Sequence, residues 1–472
     1  MVAPIVMALA MPLQYWRVTS KNKYTTDLKD YLMKFSKFVA SGALLLAAQS
    51  SLATIEQSEL RDTLDALYVQ DKVSSITDSD LTIREDLGET WLNGSKQDEL
   101  EVVKDIINQL GKLQLGTYVV DDSPALITNI SEEITSGRQD YYILRDAHPK
   151  AHQCVNASFT VEDNNFFPDG FLGDSNIQHD AIVRFSSSNP TPDSDAVNGV
   201  RGAAVKVLMG DQTHDFVMQT HPNFPTDNVE QFSNLIKLGR TLNCLSIVPD
   251  PNNQSPFGPL FDFAYQLKKS SQCLAQTDFN IFDLPETVGS IMRFQEGFEE
   301  SPIKSAFDFD YFSVTPYAYK DIVFKYEVSP ATCSEPNREN KSFTTSEAND
   351  TDGLENNIQR VLGAGSACFD LNVVARPTDL SDKDAIESLI TTWDEKSSHV
   401  LERVKVASIV VPQLIPGADI SPVACDEMRN NNGRVANGFK PLGSVSRGRI
   451  PIYDRLSAFR LEANEHLRNM NK

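Results

Sequence analysis

The chain has 472 residues, of which 40% are hydrophobic and 23% charged, a balance typical of a globular protein that buries a large core. This composition excludes a collagen-like chain, a low-complexity chain and a coiled-coil rod. The 65 acidic and 43 basic side chains give a formal net charge of −22, which disfavours binding to nucleic acid or to an anionic membrane surface. No apolar run approaches the ~18–20 residues that a membrane span needs.

The segment 33–53 has the order of a secretory signal peptide. Two lysines precede an apolar run from Phe38 to Ala48, and Ser-Leu-Ala follows as a small-x-small cleavage site. Because signal peptides begin at the initiator, residues 1–32 are interpreted as a non-native upstream start. The alternative is that these residues are translated and that the apolar run is a buried helix.

The cysteines and the glycosylation sequons also favour export. The six cysteines can form three disulfides in an oxidising compartment, although sequence does not give their pairing, and the alternative is six buried free thiols. No CxxC pair occurs, so we do not expect a zinc site. The sequons lie at Asn93, Asn129, Asn156, Asn253, Asn340 and Asn349. We therefore expect a protein of the secretory pathway.

The pattern of apolar residues changes along the chain. Residues 54–140 are predicted to form a mostly helical N-terminal extension. Residues 145–220 contain short strand-like runs between turn residues, which predict an antiparallel sheet or barrel. Residues 228–300 look largely helical, and a last helix is predicted from Arg449 to Asn469. One large α+β unit with a helical N-terminal extension fits this order best.

Four short stretches carry side chains suited to catalysis, and each alone has an ordinary explanation. A lone His is more often structural than catalytic, an Arg on a strand usually pairs with a carboxylate, and an Arg and a Tyr four residues apart are neighbours on a helix face. The stretches are Arg145 to Lys150, Val183 to Ser186, Asp215 to Phe224 and Arg447 to Tyr453.

Their order and spacing together resemble the catalase family of haem proteins. The first stretch, Arg-Asp-Ala-His-Pro-Lys, is similar to that family's Arg-x-x-His-Ala-Lys, and Val-Arg-Phe-Ser matches its next strand. Val200-Arg-Gly-Ala-Ala-Val-Lys206 and the stretch from Asp215 also align with family motifs, the latter without a gap. Arg449-x-x-x-Tyr453 is similar to the family's Arg-x-x-x-Tyr.

The resemblance covers roughly residues 140–465, and we assign 141–472 to a catalase-like haem-binding domain. It is closest to the small branch that includes catalase-related peroxidases and allene oxide synthases, because Lys440-Pro-Leu-Gly443 matches that branch's motif. The implied fold is α+β, with a catalase-like antiparallel β-barrel core, surrounding helices and the helical N-terminal extension.

The resemblance implies a distal group of catalytic side chains. His148 would take a proton from a bound hydroperoxide and return it to the leaving oxygen, with Ser186 orienting its ring. Gln219 stands where the family has a distal Asn, so the amide donor lies one methylene further out, and a misplaced group can cost about 100-fold in rate. Ala147 replaces a branched residue beside the His, which predicts a wider channel.

The resemblance also implies a bound haem b, whose iron Tyr453 would ligate. A phenol is neutral at neutral pH, and an adjacent Arg449 would favour its ionised form. Pro451 between them is expected in the first turn of the helix, which places the helix start near Ile450. The other cofactor-binding side chains implied are Arg145 and Arg184 at the propionates, and Phe224 and Phe232 along the haem.

We expect an enzyme that acts on a small-molecule hydroperoxide, in the first place an organic or fatty-acid hydroperoxide. One alternative is a catalase or peroxidase that removes hydrogen peroxide, and another is a secreted haem-binding protein with little catalysis. We expect no nucleic-acid partner and no transmembrane span, and a homo-oligomer is compatible with this interpretation.

Overall fold

A computed structural model describes most of the chain from residue 60 onward. The described residues are 60–120, 123–126, 130–135, 138–145, 147–188, 194–195, 199–246, 270–296, 304–333, 342–390, 392–415 and 420–470. The predicted signal peptide 33–53 and residues 1–32 lie outside them, as do three of the sequon asparagines. The other three, Asn93, Asn156 and Asn349, are exposed.

The strands alternate with turns over the middle of the chain, as the short apolar runs predict. They are β1 (Thr117–Val120), β2 (Ser123–Leu126), β3 (Ile130–Thr135), β4 (Arg138–Ile143), β5 (Lys150–Val161), β6 (Gln178–Ser187), β7 (Arg201–Met209), β8 (Gln212–Gln219), β9 (Tyr311–Phe312), β10 (Tyr317–Tyr319), β11 (Ile322–Ala331), β12 (Ala367–Ala375), β13 (Arg403–Val411) and β14 (Phe439–Pro441). Between residues 117 and 143 the structure has two hairpins, β1–β2 and β3–β4.

Eight strands close into an antiparallel barrel in the order β5-β6-β7-β8-β9-β11-β12-β13, with β13 pairing back onto β5. The short strands β10 and β14 extend the sheet beside β11. A closed barrel leaves no free strand edges. The predicted antiparallel barrel is therefore confirmed.

The alternation of side chains along β6 separates the barrel core from a second, polar surface. Val183 and Phe185 belong to the main apolar cluster, together with aromatic side chains of several other strands. Arg184 and Ser186 alternate with them along the strand and point to the opposite face, because successive strand residues alternate. This opposite face is where the candidate site lies.

The helices follow the predicted helical patterns in outline. They include α1 (Gln70–Ser74), α2 (Lys96–Leu115), α3 (Val229–Ser246), α4 (Leu284–Glu296), α5 (Thr345–Ala348), α6 (Gly353–Ala364), α7 (Asp382–Ile386), α8 (Trp393–Lys396), α9 (Pro422–Glu427) and α10 (Ser444–Met470). No helix among the described residues combines the length and the apolar character that crossing a membrane requires.

The start of the last helix differs from the sequence prediction. We expected a start near Ile450 that would place Pro451 in the first turn. Instead α10 begins at Ser444, and Pro451 lies inside the helix. A proline there has no N–H for the carbonyl four residues earlier, so one bond of the helix is missing.

Side chains of the loop before α10 donate to carbonyls in the part of the helix that precedes this proline. Asn432 Nδ2 donates to Ser446 O at 3.1 Å, and Asn431 Nδ2 donates to Ile450 O at 2.9 Å. These contacts hold the turns before Pro451 from outside the helix, next to the point where its own ladder is interrupted.

All six cysteines are paired, so the alternative of six free thiols is wrong. Three disulfides fit an oxidising, secretory environment.

The chain divides into two compact units. The smaller contains β1–β2 and the Cys244–Cys273 disulfide. The larger contains the barrel, α10, and the disulfides Cys154–Cys425 and Cys333–Cys368.

Candidate active site

Two adjoining cavities of about 70 and 230 Å³ lie beside the barrel within the larger unit. Five residues line both of them: Ala147, His148, Val217, Met218 and Tyr453. The structure therefore brings the predicted distal His and the predicted proximal Tyr to one cavity system.

His148 precedes β5 in an unusual backbone conformation. Its φ of 54° is in the left-handed region, which non-glycine residues seldom adopt and which often marks a functional site. Arg184 Nη2 donates to the His148 carbonyl at 2.9 Å and holds this turn in place. His148 Nδ1 and Ser186 Oγ share a hydrogen bond of 3.1 Å, as the orienting role of Ser186 requires.

Gly202 on β7 makes the close approach of the His148 ring feasible. A Cβ at this position would stand 2.4 Å from His148 Nδ1 and 3.0 Å from Ser186 Oγ. Real Cβ atoms do not come so near to other heavy atoms, so any larger residue would displace the ring. The sequence contains this glycine in a matched motif, but its role is visible only in the folded barrel.

Burial and positive charge keep the His148 ring neutral. Burial, together with the nearby guanidinium groups of Arg184, Arg449 and Arg145, lowers the pKa of His148 to about 3. At neutral pH the ring is therefore uncharged. A neutral imidazole can accept a proton, which is what a general base needs.

The proximal pair lies on α10. Arg449 is buried, and its Nε donates to Tyr453 Oη at 3.0 Å. Burial opposes the charge of Arg449, but the nearby phenols of Tyr453 and Tyr317 outweigh it, so the pKa of this guanidinium is raised. The Arg449 guanidinium also lies 5.9 Å from the centre of the Phe224 ring.

The two arginines predicted at the propionates differ in what they contact. Arg145 Nη2 donates to the carbonyls of Asp426 and Met428, each at 2.7 Å, and so holds the wall of the cavity. Arg184 is buried and lines the same cavity, and its Nε has no partner in the part of the chain that the structure describes. A buried guanidinium N–H without an acceptor is costly, so an anionic group in this cavity would satisfy it.

Gln219 lines the larger cavity, but its amide is engaged by the backbone. Its Nε2 donates to His221 O at 3.2 Å and to Asn223 O at 2.8 Å. Both amide hydrogens are thereby committed to a local turn. The donor that we assigned to a bound peroxide is thus occupied in this structure.

The predicted aromatic pair does meet at this cavity. Phe224 and Phe232 both line it, and their rings pack edge to face with centroids 5.2 Å apart. Together with Val217 and Val314 they give it an apolar wall.

Several cavity residues were missed from the sequence. Arg460 lines the smaller cavity and lies seven residues after Tyr453, two helical turns along the same face, so that spacing could have revealed it. Met428, Arg429 and Asn430 also line this cavity. Their loop carries no recognisable motif, and no signal in the sequence indicated its position.

A search with protein-family models and a search of curated proteins give no match. Among solved structures, a bacterial catalase is 15% identical with a TM-score of 0.46, covering 68% of this chain and 58% of the catalase. The chain thus spans less than two thirds of that protein. A fungal catalase is 11% identical with a TM-score of 0.47, covering 73% of this chain and 68% of the catalase. Both neighbours are catalases, the family that the sequence motifs resemble.

Proposed function

We propose that this protein is a haem-dependent enzyme that acts on hydroperoxides, in the first place organic ones. The observation that carries the proposal is that one cavity system is lined by a neutral His148 and by the Arg449–Tyr453 pair. A neutral base and a phenol that accepts from a guanidinium, together in one cavity system, are the groups that would serve and hold a Tyr-ligated haem.

The residues present fit a haem. Arg449 Nε donates to Tyr453 Oη, the oxygen that would ligate the iron. Arg184 offers an unpartnered buried N–H to an anionic propionate. The described residues contain no group of three or more His, Cys, Asp or Glu side chains that could hold a bare metal ion. A single phenol oxygen is a poor site for a free ion. Iron held in a porphyrin, which supplies its other ligands, would fit Tyr453 better.

When bound, haem supplies redox-active iron for cleavage of the peroxide O–O bond. The protein moves the proton. With its Nδ1 proton donated to Ser186 Oγ, His148 presents a lone pair on Nε2 and can take the proton of the hydroperoxide. His148 then returns this proton to the departing oxygen as the O–O bond breaks. The apolar residues Val217 and Met218 exclude water from this transfer.

The shape of the site favours an organic hydroperoxide over hydrogen peroxide. Ala147 lines both cavities next to His148, so only a methyl group limits the space there. The amide of Gln219, which would hold a small peroxide, is committed to the backbone. Both features suit a bulkier substrate placed by apolar contacts.

The test is to express the protein with haem supplied, record its absorption spectrum, and measure turnover with hydrogen peroxide, cumene hydroperoxide and a fatty-acid hydroperoxide. We expect one haem per chain, a high-spin ferric spectrum, and consumption of the organic hydroperoxides faster than that of hydrogen peroxide. Rapid oxygen release from hydrogen peroxide would instead support a catalase. Haem binding without turnover would support a binding protein, and well-folded protein without haem would refute the proposal.

A further inference from the structure

The start of α10 is surrounded by carboxylates from distant parts of the chain. Arg447, in the first turn of this helix, is 2% exposed and is bound by two of them. Glu99 on α2 accepts from Arg447 Nε at 2.6 Å and from Nη2 at 2.9 Å, and Glu89 accepts from Nη1 at 2.5 Å. Bidentate contact of this kind fixes the orientation of a guanidinium as well as its position.

The same group of carboxylates also binds the backbone at the start of the helix. Gly443 N donates to Glu89 Oε1 at 2.9 Å, and Ser444 N donates to Glu387 Oε2 at 2.8 Å. The first N–H groups of a helix lack partners within the helix, and negative charge is favoured at this end. We call Glu89, Glu99, Glu387 and Arg447 the clamp.

The clamp is tied to the segment that precedes the barrel. Arg84 N donates to Glu89 at 2.7 Å, Leu92 N donates to Glu99 at 3.0 Å, and Thr90 N donates to Glu387 at 3.1 Å. Each of the three carboxylates therefore makes two kinds of contact. One is to α10, either to the helix backbone or to the Arg447 side chain, and the other is to the backbone of residues 84–92. Because the charged side chains of the clamp are buried or nearly so, the bonds between them are little weakened by water.

The position of the clamp matters because of Pro451. Arg449 lies before this proline on α10, and Tyr453 lies after it. The helical bond that would join Pro451 to the carbonyl of Arg447 is absent. The 3.0 Å contact between Arg449 Nε and Tyr453 Oη thus spans a weakened point of the helix. Contacts outside the helix must hold the part that carries Arg449.

We propose that the clamp is a positioning device for the proximal pair: residues 84–99 hold the first turns of α10 so that the Arg449 guanidinium stays on the Tyr453 oxygen. The clamp does not line either cavity. It acts through Arg449, two residues after Arg447. This assigns a role to the N-terminal extension, and it rests on the proposed function because the role is expressed in haem binding.

The experiment compares two clamp variants, Glu99→Gln and Arg447→Lys, with a matched control. Glu99→Gln keeps the size of the side chain and one acceptor oxygen but removes the charge and the second acceptor. The control is Glu347→Gln, which removes a carboxylate that is 7% exposed, pairs with Arg360 at 2.7 Å and accepts from Thr344 N at the start of α5, at a place that lines neither cavity. Comparable losses of thermal stability in the two glutamine variants would show that they are matched.

Two readouts separate positioning from general stability. In haem-free protein, hydrogen exchange followed by mass spectrometry reports on residues 444–450 separately from residues 454–470. In a haem titration, the dissociation constant reports on the proximal pair. We expect Glu99→Gln to lose protection over 444–450 and to bind haem at least tenfold more weakly. Arg447→Lys should be intermediate, and Glu347→Gln should change haem affinity less than twofold.

The outcomes are distinguishable. If wild-type protein binds haem and Glu99→Gln binds it equally well, the positioning role is wrong while the proposed function stands. Equal weakening in Glu99→Gln and Glu347→Gln would also overturn it, because general stability would then explain the loss. If wild-type protein is folded and binds no haem, the proposed function is wrong and the positioning role falls with it.

Discussion

The two sides of the cavity system are built in different ways. On the distal side, Ser186 of β6 and Gly202 of β7 are direct register partners in the barrel, and the His148 ring lies against both. On the proximal side, Arg449 and Tyr453 lie on a helix that a proline interrupts. The distal geometry thus depends on neighbouring strands, whereas the proximal geometry depends on side chains from far along the chain.

This difference predicts how single substitutions affect each side of the cavity system. The strand register is maintained by many backbone bonds, so single side-chain changes near His148 act locally. The Glu99–Arg447 pair joins residues 348 positions apart, and a few side chains carry the whole arrangement. Distal variants should therefore change chemistry with the cofactor retained, and proximal variants should change the cofactor itself.

The largest effect is expected at Tyr453. Tyr453→Phe removes the phenol oxygen that accepts from Arg449 Nε and leaves the ring in place. We expect haem to be lost on gel filtration, with the Soret band of the purified protein reduced by more than tenfold. A variant with full haem content and an unchanged spectrum would show that Tyr453 is not the ligand.

His148→Ala should give the opposite pattern. Removing a general acid–base group typically costs 10²–10⁴-fold in rate, so we expect turnover of the preferred hydroperoxide to fall by about 10³-fold. Haem content should equal that of the wild type, measured as the ratio of Soret to protein absorbance. Retention of full activity would refute the distal assignment.

Gly202→Ala should have a smaller effect through geometry alone. The added methyl would stand 2.4 Å from the His148 ring, and a shift of about 1 Å can cost roughly 100-fold in rate. The matched control is Gly363→Ala on α6, where no atom lies within 4 Å of the added carbon. Equal activity in both variants would mean that the His148 position is not critical.

The smallest effect is on the pH dependence of stability. His148 has a pKa of about 3 in the folded protein and an ordinary value of 6.5 when unfolded. Between these values only the unfolded state binds the proton, so the free energy of unfolding falls as the pH falls through this window, by about 1.4 kcal/mol per pH unit. The free energy of unfolding is measured with urea at several pH values between 7 and 4, in haem-free wild-type protein and in haem-free His148→Gln. Plotted against pH, it should fall less steeply in the variant, by this amount per pH unit. An unchanged slope would contradict a neutral, buried His148.

The sequence predicted the distal side better than the proximal side, for a physical reason. His148 lies in a short motif just before β5, and Ser186 lies in one on the adjacent strand β6, where alternation puts it on the face opposite the core. The interior position of Pro451 was not predicted, because the side chains that hold the preceding turns of the helix come from a separate loop. The contacts of Glu99 likewise have no local signature. Long-range contacts between side chains leave no period or motif in a single sequence.

The disulfide between Cys154 and Cys425 bears on how the protein must be made. The two cysteines are 271 residues apart, so the first is synthesised long before its partner exists. Cys425 lies on α9, directly before the Met428–Asn430 part of the cavity wall. The disulfide joins this wall covalently to β5, and it forms only in a compartment that oxidises thiols after synthesis. We expect protein produced in a reducing cytosol to carry a loosened wall, so the compartment of biosynthesis contributes to the shape of the cavity.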